Sequence, residues 1–251
     1  MLPELCTTGY AFTGRSEALE YSESADGPSV GEWRELSSHH RITIVAGFCE
    51  RDRDGAPRNS AAVIDAGGAC SIYRKTHLWD REQTTFIAGR APPPVLDTAA
   101  GRIGIAICYD AFFPEVMRTL ALAGADLIAV PMNSPAATPA PPSAAPASEI
   151  VLALAAATVN RVYVAQADRS GPERGITWSQ ASAICDPDGR LLAGPIAGTG
   201  LLQARCDLRR ARDKRLGGAN DVLADRRTEL YDQVAARART ADVTPTKEMV
   251  N

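Results

Sequence analysis

The chain has 251 residues, 45% of them hydrophobic, enough to bury one large core or two small ones. Its formal net charge of −3, with acidic and basic residues interleaved, argues against a nucleic-acid partner, and its longest apolar runs fall well short of the roughly 18 residues a membrane span needs. No charged-then-apolar leader opens the chain, and six scattered cysteines without a Cys-x-x-Cys pair fit reduced thiols in a cytoplasmic protein.

In chain order, the apolar periodicity predicts a short helix over 30–40 and strands over 42–49 and 61–65, with a turn-rich linker at 52–57. A buried strand follows at 102–107, a helix at 113–123 and a strand at 127–131. Residues 136–147 are rich in proline and alanine and read as a surface loop. Ser148 is expected to cap a helix running to Asn160, apolar on nearly every side and therefore buried in the domain or against a partner subunit. Strands at 162–167 and 181–185 come next, then a turn at Asp188-Gly189 into Leu191-Leu192. A last strand at 201–206 leads to an arginine-rich helix and a polar tail from about residue 235. That arginine-rich run contains Asp207 and Asp213, so it reads as a solvated face. With no internal repeat, no long linker and neither a Gly-x-Gly-x-x-Gly nor a Walker loop, the pattern is a layered α/β sandwich, one domain over 1–251, that binds no nucleotide.

Cys108 stands where the 102–107 strand ends and a helix-forming run begins. A thiol there is held by a sheet, open to substrate and close to a helix N-terminus, whose partial positive charge favours thiolate. Taken alone, such a cysteine is more often packed and inert. Three histidines (His39, His40, His77) lack metal-ligand spacing, so no metal site is expected. All but three of the 27 basic residues are arginine, which makes Lys75, beside Arg74, conspicuous. Lysine is a compact point charge that fits a tight pocket.

Three ordered blocks change the reading of Cys108. Leu2-Pro-Glu4-Leu-Cys-Thr-Thr-Gly9-Tyr10, Tyr73-Arg-Lys75-Thr-His-Leu78 and Ile107-Cys108-Tyr-Asp-Ala-Phe-Phe-Pro-Glu115 resemble the glutamate, lysine and cysteine motifs of the nitrilase, or carbon-nitrogen hydrolase, superfamily. Further matches run through Gly124-Ala-Asp126, Val130-Pro-Met-Asn133, Asn160-Arg-Val-Tyr163 and Arg226-Arg-Thr-Glu-Leu-Tyr231. The resemblance implies a four-layer α-β-β-α sandwich of two mixed sheets, no cofactor, and dimers packed face to face, an interface the helix from Ser148 would fit.

It also implies the roles. Cys108 is the nucleophile and Glu4 the base and later acid, while Lys75 and the backbone N–H of Tyr109 stabilise the oxyanion. Glu82, in Trp79-Asp-Arg-Glu82, matches a pocket glutamate that orients lysine or substrate, and Asn133 is a substrate-binding candidate. Two carboxylates near one lysine should push their pKa values apart, leaving one protonated near neutrality. Glu50, Asp110 and Glu115 read as structural, and His77 as ordering the lysine loop.

The implied reaction is cleavage of a small linear amide through a thioester with release of ammonia. N-carbamoyl amine or nitrile hydrolysis, an acyltransferase and an inactive binding member are the alternatives. The family pattern also places a strand and a helix ahead of the glutamate motif, which here begins at Leu2, so Glu4 is expected at a fraying terminus. Val159 and Asp168 stand where the family commonly has glutamate and asparagine.

Overall fold

The computed structural model describes residues 1–136 and 146–236. Most of the expected loop at 136–147 and of the tail from 235 lies outside them. The first sheet is antiparallel, in the order β1 (Ile44–Arg51), β2 (Pro57–Ile64) and β3 (Cys70–Arg74). Side chains alternate across a strand, so Val45, Ala61, Val63 and Tyr73 join one core while Ala46, Phe48, Ala62 and Ile64 face the other way. That second face is covered by α2 (Pro28–His40), which buries Val30, Trp33 and Ser37 at helical spacing. Pro28 presets its first turn, and Arg41, left-handed at φ 53°, ends it. A shorter helix, α1 (Arg15–Tyr21), packs Ala18 against Cys49 and Phe86.

The second sheet is mixed and runs in sequence order: β4 (Val95–Thr98), β5 (Gly101–Ile105), β6 (Leu127–Pro131), β7 (Tyr163–Ala167), β8 (Ala183–Cys185) and β9 (Leu191–Ala193). The central β5, β6 and β7 are parallel; the outer pairings are antiparallel. Parallel strands need crossovers, supplied by α4 (Pro114–Leu122) and α5 (Ser148–Asn160) on the sheet's outer face. Val45, Val63 and Tyr73 of the first sheet share one core with Ile103, Ile105, Ile128 and Val164 of the second. The layers therefore run α-β-β-α, as the resemblance implied. Among the described residues no helix is long and apolar enough to cross a membrane.

Several local expectations are corrected. Residues 201–206 pair with no strand, and Leu201 is 77% exposed. The arginine-rich helix is only a 3-10 turn, Leu208–Arg212, tied down by Arg212 on Asp126. Ser148 is the first helical residue of α5 and not its cap; its hydroxyl donates to Glu149 at 3.2 Å. The helix also leaves Val151 and Val159 about half exposed, so it is apolar all round without being buried all round.

Candidate active site

Glu4 does not fray. The terminal segment lies along β1, with Leu2 N–H donating to Val45 O (2.8 Å), Gly47 N–H to Pro3 O (3.1 Å) and Cys6 N–H to Gly47 O (3.0 Å). Leu5, fully buried with Ala18, Cys49 and Phe86, anchors it from the side. The close approach requires Gly47, since a Cβ there would sit 2.5 Å from Glu4 Cα. Glu4 is consequently fully buried, and its carbonyl accepts from Asn133 Nδ2 at 2.8 Å.

Lys75 follows β3, and its N–H donates to Asn59 O on β2 at 2.8 Å. Its ammonium lies between two carboxylates, 2.7 Å from Glu4 Oε1 and 2.8 Å from Glu82 Oε1. Glu82 begins the one-turn helix α3 (Glu82–Thr85) and fixes its other oxygen on Trp79 N–H at 3.0 Å. Asn59 donates to Glu4 Oε1 at 2.6 Å. Burial pushes the Glu4 carboxyl up to about 7, with Lys75 pulling against it and Glu82 adding to the rise. Burial works to lower the Lys75 ammonium, but Glu4 and Glu82 outweigh it and hold the group well above its ordinary range. The arrangement matches the expectation of one carboxyl able to hold a proton near neutrality.

Cys108 lies three residues past the end of β5, at φ 44°, a left-handed conformation uncommon outside glycine. The chain turns there into a 3-10 segment, Cys108–Phe112, fixed by Asp110. Asp110 Oδ2 accepts from Ile107 N–H (3.0 Å) and Tyr73 O–H (2.8 Å). Its Oδ1 accepts from His77 N–H and Thr76 O–H, both at 3.1 Å, and lies 2.7 Å from His77 Nδ1. One buried carboxylate thus clamps the lysine loop to the cysteine turn, and His77 orders that loop by stacking on Phe113. The Tyr109 N–H donates to nothing among the described residues.

The resting thiol is not the low-pKa group that a helix terminus alone suggested. Burial first, and Glu4 second, push Cys108 well above the usual thiol range against the opposing pull of Lys75. A cysteine so placed needs a base to ionise it. Glu4 Oε2 is buried and has no hydrogen-bond partner among the described residues.

Cys108 opens on a cavity of about 800 Å³ whose walls include Trp79, Tyr109, Asn133, Trp178 and Glu149. Asn133 is nearly fully buried; its amide N–H is spent on Glu4 O, and its Oδ1 has no partner among the described residues. Of the rivals, Glu50 is occupied by Ser60 O–H (2.6 Å) and Arg74 Nε–H (2.8 Å), and Glu115 is exposed in the first turn of α4. Asn59 escaped the sequence reading. The available signal was a polar run, Arg58-Asn59-Ser60, inside a strand buried along its whole length.

The family description Carbon-nitrogen hydrolase matches residues 1–216. The chain is 37% identical over 233 residues to a nitrilase of Pyrococcus abyssi, covering 92% of this chain and 85% of the relative. It is 33% identical over 232 residues to deaminated glutathione amidase of Rattus norvegicus, covering 86% and 68% of the two chains. Among solved structures, the NitN amidase of Nesterenkonia sp. AN1 superposes with a TM-score of 0.72 at 28% identity, over 91% of this chain and 82% of that one. A mutant of that amidase carries the acetamide moiety of fluoroacetamide covalently at its active-site cysteine. The layered fold, the ordered motifs and these similarities agree: the chain belongs to the carbon-nitrogen hydrolase family.

Proposed function

We propose that the protein hydrolyses the carbon–nitrogen bond of a small amide through a Cys108 thioester. The observation that carries this reading is the fully buried Lys75 ammonium, held between Glu4 and Glu82 within 2.8 Å of each. An ion cluster out of water is costly unless it has work to do or is fully satisfied, and Glu4 Oε2 is not satisfied.

In the first half-reaction Glu4 takes the Sγ proton as sulfur attacks the carbonyl carbon. A C–S bond forms and the carbonyl π pair moves to oxygen, where Lys75 Nζ and the Tyr109 N–H meet the charge. The C–N bond then breaks, nitrogen takes the proton from Glu4, and ammonia leaves. In the second, Glu4 removes a proton from water as its oxygen adds to the thioester; the C–S bond breaks and sulfur recovers the proton, releasing the carboxylic acid. Glu82 holds the Lys75 ammonium in place as the oxyanion forms and collapses. A Glu4 carboxyl near 7 suits an alternating acid and base at neutral pH.

Incubating the protein with amides, nitriles and N-carbamoyl amines and measuring ammonia tests the reading. We expect amide turnover and a Cys108 acyl adduct by mass spectrometry; wild-type turnover in Cys108→Ala would refute the nucleophile. We further read 1–251 as one hydrolase unit that acts as a homodimer, supported by the half-exposed Val151 and Val159 on the apolar α5.

A further inference from the structure

The cavity beside Cys108 is apolar over most of its wall and carries a single carboxyl among the described residues. Glu149, in the first turn of α5, is 7% exposed and contributes to the wall alongside Cys108, Phe112 and Trp178. Besides Cys108 it is the only ionisable side chain on the described wall apart from the Tyr109 phenol. Among the described residues no lysine, arginine or histidine lies in ion-pair contact with it; its one side-chain partner is the neutral Ser148 hydroxyl at 3.2 Å. The nearby Arg169 is matched by Glu173 at 2.9 Å and lies over the Trp178 ring. The stretch 137–145 contains only alanine, proline, serine and threonine. Burial raises the neighbouring Asp168 carboxyl, and Glu149 adds to that rise.

A buried carboxylate without a counter-ion is costly, and a charge-assisted hydrogen bond from a ligand cation relieves that cost while fixing the ligand's orientation. We propose that Glu149 selects substrates with a cationic group, an ammonium or guanidinium, on the acyl side distal to the scissile amide. This rests on the hydrolase reading above and adds the charge class of its substrate.

The test uses three amides of matched length at pH 7.5: 5-aminopentanamide, pentanamide and the monoamide of glutaric acid. In the wild-type protein kcat/KM should be at least tenfold higher for the ammonium amide than for the neutral one, and lowest for the carboxylate. In Glu149→Gln the ammonium-to-neutral ratio should fall toward one, chiefly through KM, and Glu149→Asp should restore part of it. A wild-type ratio at or below one, or a ratio unchanged in Glu149→Gln, overturns the proposal. Turnover of all three amides without charge preference leaves the hydrolase reading standing and removes this one. If none releases ammonia, calorimetric binding of the three amides to the Cys108→Ala protein decides the charge preference: tighter binding of the ammonium amide supports it, equal affinities overturn it.

Discussion

An alanine at position 47 tests whether the terminal segment holds Glu4 in place. Its Cβ would lie 2.5 Å from Glu4 Cα, 2.7 Å from Pro3 O and 2.8 Å from Leu5 N, whereas ordinary contact begins near ~3.5 Å. All three atoms are backbone, so no rotamer relieves the overlap and the segment must move by roughly 1 Å. Three backbone hydrogen bonds join residues 2–6 to β1, each worth about 1 kcal/mol. Weakening them while disturbing Leu5 should destabilise the protein by about 3 kcal/mol, lowering Tm by roughly 10 °C for a chain of this size. Misplacing the proposed base by that distance should cost on the order of 100-fold in kcat. Gly31→Ala, inside α2 with nothing within 4 Å of the new methyl, is the control; it should gain roughly 0.5–1 kcal/mol. Thermal unfolding and ammonia release on one amide read both effects. Wild-type kcat and Tm in Gly47→Ala would show that the contact along β1 does not position Glu4.

Because burial and Glu82 both raise Glu4 while the base must be ionised, kcat/KM should climb with pH through about 7. Glu82→Gln removes a negative neighbour, so Glu4 ionises more easily and the acidic limb should move to lower pH; an unmoved limb in a pH–rate profile refutes the coupling. Lys75→Met leaves Glu4 and Glu82 facing each other uncompensated, and should cost roughly 3–5 kcal/mol in urea unfolding unless one carboxyl takes up a proton, which a rise in stability at low pH would reveal. Asp110→Asn turns an acceptor into a donor facing Ile107 N–H or His77 N–H, and should cost about 1–3 kcal/mol with a fall in kcat. Full activity with unchanged Tm would show that the clamp is idle.

The parts of the fold legible in the sequence were those with strong periodicity or long apolar runs. Helix α2, strand β6 and helix α5 fall within two residues of their expected bounds, because buried positions at 30, 33 and 37 and the unbroken run at 127–131 have few competing readings. Two short strands of the outer sheet regions were missed. β3 and β4 are five and four residues long, and half-buried patterns of that length carry little signal. β2 begins at Pro57, earlier than expected, since its polar Arg58, Asn59 and Ser60 are buried by partners distant in sequence: Ile87 and Ala88 carbonyls, Glu4, and Glu50. Glu4, Lys75 and Glu82, which stand in the ordered motifs, lie in hydrogen-bond contact through the Lys75 ammonium. The anchoring of residue 4 was not legible, because it depends on a glycine 43 positions away having no side chain.

Glu4 and Lys75 hang from the first sheet and Cys108 from the second, so the reactive group exists only when the two halves have docked. In the proposed mechanism catalysis is therefore a cooperative property of the whole sandwich, and no partly assembled species should retain it. In rising urea, loss of turnover should superimpose on loss of tryptophan fluorescence, making ammonia release a direct gauge of how many molecules are fully folded.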